Sequence, residues 1–289
     1  MFVLICFYII RCPVTVLELA VYLYHVIHFG YTSEHTVPIT WNGPVPYCSV
    51  LIYNPYRRWE AWRYITYMFV HIGISHFLFN MIMQIMIGVF LEMEQSGLKG
   101  SFKIALVYMA GVISGSIGQS LTEPGIYVAG CSGGVYALIA AHLSTIILNW
   151  KEDNDIQTSK KVIHFGFVKW VRVLFIAVLV IYDTTTQILG HLGILEGDNN
   201  TSVMGHLCGA LAGLTVGIYV LDNRKVENWE WYVRYISLSL FALTLIFGIM
   251  WNIWANQWMC DEENPYCLFP EQDWTPLLEP SDKCIHWHA

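Results

Sequence analysis

Charge is what this sequence has least of. Only 13% of its 289 residues are Asp, Glu, Lys or Arg, against 55% from the set AVILMFWYC, and the mean hydropathy is +0.47. A soluble fold of this length needs far more charge to cover its surface, so that class is excluded. Low-complexity tracts and Ser/Pro-rich linkers are also missing, which leaves no seam for a second folded domain. No internal repeat is present, and that removes the main sign of a transporter built from inverted halves.

What remains is apolar sequence in seven stretches, near 7–29, 68–90, 102–121, 132–149, 170–190, 203–221 and 233–256. About 20 residues suffice for one helical bilayer span. Several stretches contain His, Asn, Gln or Ser, and polar groups at bilayer depth face a bundle interior or a water-filled cavity. At the start, Val3 to Ile10 could suggest a cleaved signal peptide. Arg11 follows it without a small-residue cleavage site, and apolar residues resume from Val14 to Phe29, so a retained first span is expected. The expectation is an all-α polytopic membrane protein, with a transmembrane domain over 1–256 and an acidic, Cys-containing tail over 257–289.

Lys and Arg set the orientation. With a cytosolic N-terminus, eleven of them fall on inside segments, and only Arg57, Arg58, Arg63 and Lys283 fall outside. Seven spans then put the tail on the extracytoplasmic side. The tail carries seven acids and one Lys, nearly all of the chain's net charge of −7. Cys48, Cys260, Cys267 and Cys284 lie on that oxidising side, where they can pair or stay free. Asn199-Asn200-Thr201-Ser202 holds two overlapping glycosylation sequons so close to the bilayer that use is not expected.

Three features carry chemistry. Gly130-Cys131-Ser132-Gly133-Gly134 opens the fourth span and fits G-x-S-x-G, but the strand–turn–helix context of that soluble motif is absent. In the sixth span, Gly205, Gly209, Gly213 and Gly217 recur every four residues beside His206, forming a stripe that lets another backbone come close. The fourth span offers a matching stripe at Gly133, Ala137 and Ala141, so packing the two would bring a hydroxyl within reach of an imidazole. The bland alternative is a small-residue helix contact with an incidental His. At the start of the second span lie His71, His76 and Asn80; the last two share a helix face and can supply donors to an oxyanion. A zinc site is the rival reading, but no carboxylate or Cys joins the set. All three features fall at the outside ends of their spans. No acid is placed to orient His206, so a Ser–His dyad is expected.

With these motifs the sequence resembles the rhomboid family of intramembrane serine proteases, closest to its animal secretase-type branch, over residues from about 12 to 256. The motifs are Trp62-Arg63, His71, His76 and Asn80, Leu91-Glu92, Gly130-x-Ser132-Gly133-Gly134-Val135-Tyr136, and His206-x-x-Gly209-x-x-x-Gly213. The resemblance implies Ser132 as nucleophile and His206 as general base. It implies an oxyanion hole from His76, Asn80 and the Ser132 backbone N–H, with Tyr136 packed on the imidazole. Gly130, Gly133 and His71 would support the site, while Trp62, Arg63, Glu92, Gly209 and Gly213 would be structural. Cys131 and Gly205 stand where Ala is common, and both replacements are small. The implied partners are single-span transmembrane substrates, of which EGF-type growth-factor precursors are the expected class, and the lipid bilayer. Substrate entry beside the fifth span is implied. No cofactor, metal, nucleotide or nucleic acid is expected. The compartment would be Golgi, endosomal or plasma membrane. A non-proteolytic relative that binds transmembrane clients is the alternative.

Overall fold

A computed structural model describes residues 11–31, 39–47, 49–95, 97–123, 125–149, 163–191, 202–223 and 226–259. Residues 1–10, Cys48, residues 199–201 of the sequons and residues 260–289 of the tail, with its three cysteines, lie outside the described residues. Among the described residues seven long helices follow one another: α1 (Arg11–Tyr31), α2 (Gly73–Glu94), α3 (Gly97–Thr122), α4 (Ser132–Leu148), α5 (Ile163–His191), α6 (Val203–Val220) and α7 (Asn228–Met259). Each holds most of one apolar stretch. Four of them are long and apolar enough to cross a bilayer, over Gly73–Glu92, Leu98–Thr122, Val203–Val220 and Asn228–Trp254. Shorter apolar lengths lie at Pro13–Ile27, Ser132–Leu148 and Val173–Thr186. The chain is a polytopic, all-helical membrane protein.

Why these helices pack follows from where their glycines fall. The centre is the trio α3, α4 and α6, each packed on the other two. A Cβ at Gly209 would run into the Gly133 backbone, one at Gly213 into the Ala137 backbone, and one at Gly217 into Ser144 and Ala141. The two stripes therefore meet in register, one turn to one turn. On α3, Gly111 lies against Gly133 and Ala137 of α4, and Gly115 against the Gly205 carbonyl of α6. With no side chain between them, the backbones approach closely and dispersion supplies the attraction that water cannot supply in lipid. By contrast α5 meets the bundle chiefly through α4, and most of its described apolar side chains face outward; Leu174 and Ile181 are each 64% exposed.

Polar groups fix the outer helices. Gln84 on α2 donates to Glu18 Oε2 (2.8 Å) and Thr15 Oγ1 (3.0 Å) on α1. The Tyr108 hydroxyl on α3 lies 2.7 Å from Gln84 Oε1 and 3.0 Å from Glu18 Oε1. Glu18 is fully buried, and a buried acid persists only when partnered in this way.

The loop between α1 and α2 is built around Arg63. Its guanidinium donates to the carbonyls of Ser49 (2.9 Å) and Ile52 (2.8 Å) and pairs with Glu60. The Trp62 indole donates to the Val50 carbonyl at 3.1 Å. Tyr53 and Val128 exchange two backbone hydrogen bonds, of 3.1 and 3.2 Å, and Gly130 N–H donates to the Tyr67 carbonyl at 3.1 Å. These bonds tie the loop to the segment that leads into Ser132. Tyr53 is wholly enclosed here, and burial pushes its phenol well above the ordinary range. Glu92 is buried near the far end of α2.

Candidate active site

The turn before α4 aims Ser132. Gly130 has φ +105, a backbone conformation that side chains rarely adopt, and it sits directly beneath the His76 ring. From there the chain turns into helix, and the first rung runs from Val135 N–H to the Cys131 carbonyl at 3.1 Å. The N–H groups of Ser132, Gly133 and Gly134 therefore have no intrahelical acceptor. They carry the positive end of the helix dipole, which suits a developing negative charge.

Gly130 is a sharp test of this turn. A Cβ there would lie 2.5 Å from His76 Cε1 and 2.7 Å from Nε2. Gly130→Ala is expected to cost roughly 1–3 kcal/mol in backbone strain and to push His76 aside. The expected result is a lower unfolding temperature together with slower labelling by a serine-reactive phosphonate. A variant matching the wild type in both would show that the turn is not fixed as described.

Across the α4–α6 seam, His206 Nε2 lies 2.9 Å from Ser132 Oγ. The Tyr136 ring, one helical turn past Ser132, stacks on the imidazole with centroids 4.3 Å apart and planes 12° from parallel. On the other side of the imidazole stands a residue that the sequence reading left out. Asp183 Oδ2, from α5, is 3.3 Å from His206 Nδ1. The expectation that no acid stands beside His206 is thus corrected: a carboxylate faces the second ring nitrogen. It lies 23 residues before His206 and on another helix, so no spacing rule pairs them. The available signal was that a lone acid inside an apolar span is costly and calls for a partner.

The remaining residues gather around the same turn. His76 lies within electrostatic reach of His206. The Ile72 N–H approaches His76 Nδ1 at 3.4 Å. Asn80 is buried and donates to the His76 carbonyl at 2.9 Å. An amide nitrogen carries two N–H groups, and that bond uses one. His71 is buried behind the turn, with Nε2 3.6 Å from Cys131 Sγ and its ring 5.5 Å from that of His76. His71 thus contacts the residue before the serine. Cys131 is a buried free thiol.

Fold and site together define a helical, multi-pass membrane protein with Ser, His and Asp from three helices in hydrogen-bonding order. Residues 58–223 match the model of the Rhomboid domain. Rhomboid-related protein 3 of Homo sapiens is 32% identical over 84% of this chain and 55% of its own length. For Rhomboid-related protein 2 of Mus musculus the figures are 30%, 84% and 74%, and for Inactive rhomboid-related protein 2 of Caenorhabditis elegans 31%, 78% and 58%. The chain belongs to the rhomboid family, whose members are generally intramembrane serine proteases. It spans about half the length of the human relative.

Proposed function

We propose that this protein is an intramembrane serine endopeptidase that cuts transmembrane helices of other proteins near their extracytoplasmic ends. The observation that carries this reading is the 2.9 Å approach of His206 Nε2 to Ser132 Oγ. Ser132 attacks the scissile carbonyl carbon while its proton passes to His206. The oxyanion that forms is received by the N–H of Ser132 at the start of α4, with Asn80 and His76 as side-chain donors. The C–N bond then breaks, His206 returns the proton to the leaving amine, and water releases the acyl group by the reverse sequence.

A regular helix hides its carbonyl carbons in its own hydrogen-bond ladder, so the preferred substrate has small or helix-destabilising residues near the cut. EGF-type growth-factor precursors with one span are the class to test. α4 is 17 residues long, about 26 Å at 1.5 Å per residue. That is short of a hydrocarbon core of about 30 Å, which supports a nucleophile below the membrane surface. The Lys and Arg bias supports a cytosolic N-terminus and an extracytoplasmic tail, and Golgi, endosomal or plasma membrane is the residence proposed with this reading. The loose packing of α5 supports substrate entry beside it.

The test is co-expression with a single-span reporter, scoring release of its ectodomain. Ser132→Ala is expected to abolish release at unchanged expression, and to abolish labelling by the phosphonate probe. A relative of similar identity is named inactive. The same experiment therefore decides whether this chain instead binds transmembrane clients without cutting them: full biological activity in Ser132→Ala would establish that.

A further inference from the structure

We propose that Asp183, on α5, is a positioning residue that holds His206, on α6, in the tautomer and orientation needed to deprotonate Ser132 on α4. The inference rests on the proteolytic reading given above and deepens it. A neutral imidazole has one N–H, and only the form with the proton on Nδ1 leaves Nε2 bare to accept from a hydroxyl. The opposite form would aim an N–H at Ser132 and could not act as its base. Selection between them falls to whatever faces Nδ1, and here that is a carboxylate oxygen at 3.3 Å.

The surroundings fix the ring that makes that bond. Tyr136 lies flat on the imidazole, which sets the plane of the ring, and the Asp183 carboxylate meets that ring at Nδ1. When Ser132 forms its bond to the carbonyl carbon, His206 takes the proton and becomes a cation. The negative Asp183 beside it offsets that charge without taking a proton itself. When the C–N bond breaks, the proton leaves from Nε2 to the amine nitrogen, and Asp183 again faces a neutral ring.

Packing alone gives no account of this acid. A charge within an apolar span is costly, and most of the described apolar side chains around it on α5 point away from the bundle. The competing explanation is that Asp183 merely pins α5 to the core. Asparagine separates the two, because it keeps the shape and a hydrogen-bonding amide but loses the charge.

The experiment uses the full chain in proteoliposomes with a transmembrane reporter peptide, measuring kcat and KM for wild type, Asp183→Asn and Asp183→Glu. The rate of Ser132 labelling by a fluorophosphonate and the unfolding temperature are followed in parallel. The expected result for Asp183→Asn is a fall in kcat of roughly 10²–10⁴-fold. KM and unfolding temperature should be unchanged, and labelling should slow in step. Asp183→Glu should recover at least part of the loss. A wild-type kcat in Asp183→Asn would overturn the proposal. So would a loss that glutamate does not relieve and that tracks a drop in unfolding temperature, since that is the signature of pinning. Persistent labelling of Ser132→Ala would instead overturn the proteolytic reading itself, so the two failures are distinguishable.

Discussion

Replacing Ser132 and His206 together by alanine should slow cleavage no further than replacing Ser132 alone. Each single change is expected to cost about 10³-fold or more in kcat, because a nucleophile and its base act as one unit. Once the hydroxyl is gone, the imidazole has no proton to take, so its removal changes nothing more. Independent residues would show the opposite, with losses multiplying toward 10⁶ or beyond on the same arithmetic. The check is reporter cleavage by purified protein for both single variants and the double. Multiplying losses would mean that the 2.9 Å contact between Nε2 and Oγ has no part in the chemistry.

Gly213→Val is expected to remove stability and activity at once. Any Cβ at this position would stand within 3.0 Å of the Ala137 backbone, 2.5 Å from its carbonyl carbon. The obstacle is main chain, so no rotamer change relieves it and α6 must move off α4. Overpacking of this kind costs about 1–3 kcal/mol, and more where backbones must part. His206 rides on the same helix, and a misplacement of about 1 Å can cost 10²-fold in rate. Thermal unfolding in detergent and phosphonate labelling should therefore both decline. Leu211→Val, on the outward side of the same helix, serves as the control and should be nearly silent. A Gly213→Val protein that melts and labels like the wild type would refute the close seam.

Much of this arrangement is readable from spacing. Four-residue recurrence of glycine in α6 and of small residues in α4 specifies two faces, and the faces meet in the register the spacing implies. The ends of helices were less legible. The second apolar stretch begins near 68, yet α2 starts at Gly73, because Tyr67–Phe69 forms a tight helical turn and Val70 is extended. α5 and α7 instead begin earlier than their apolar stretches, at Ile163 and Asn228. Hydropathy reports which residues suit lipid, whereas a helix continues until its hydrogen bonds find other acceptors. Asp183 escaped for a different reason. Its partner is set by how α5 leans on α4 and α6, a tertiary fact with no short-range pattern. The buried Glu18–Gln84–Tyr108 cluster is the same case: three residues on three helices, each unremarkable in its own stretch.

The glycine seam divides the chain into two mutational regimes. Along α3, α4 and α6 the inward positions have no room for one extra methyl group, so drift there is closed off. Around the perimeter, any side chain that dissolves in acyl chains will serve. Descendants of such a protein can therefore be refitted to bilayers of other thickness, or to other neighbours, by changing the rim while the chemistry stays in place.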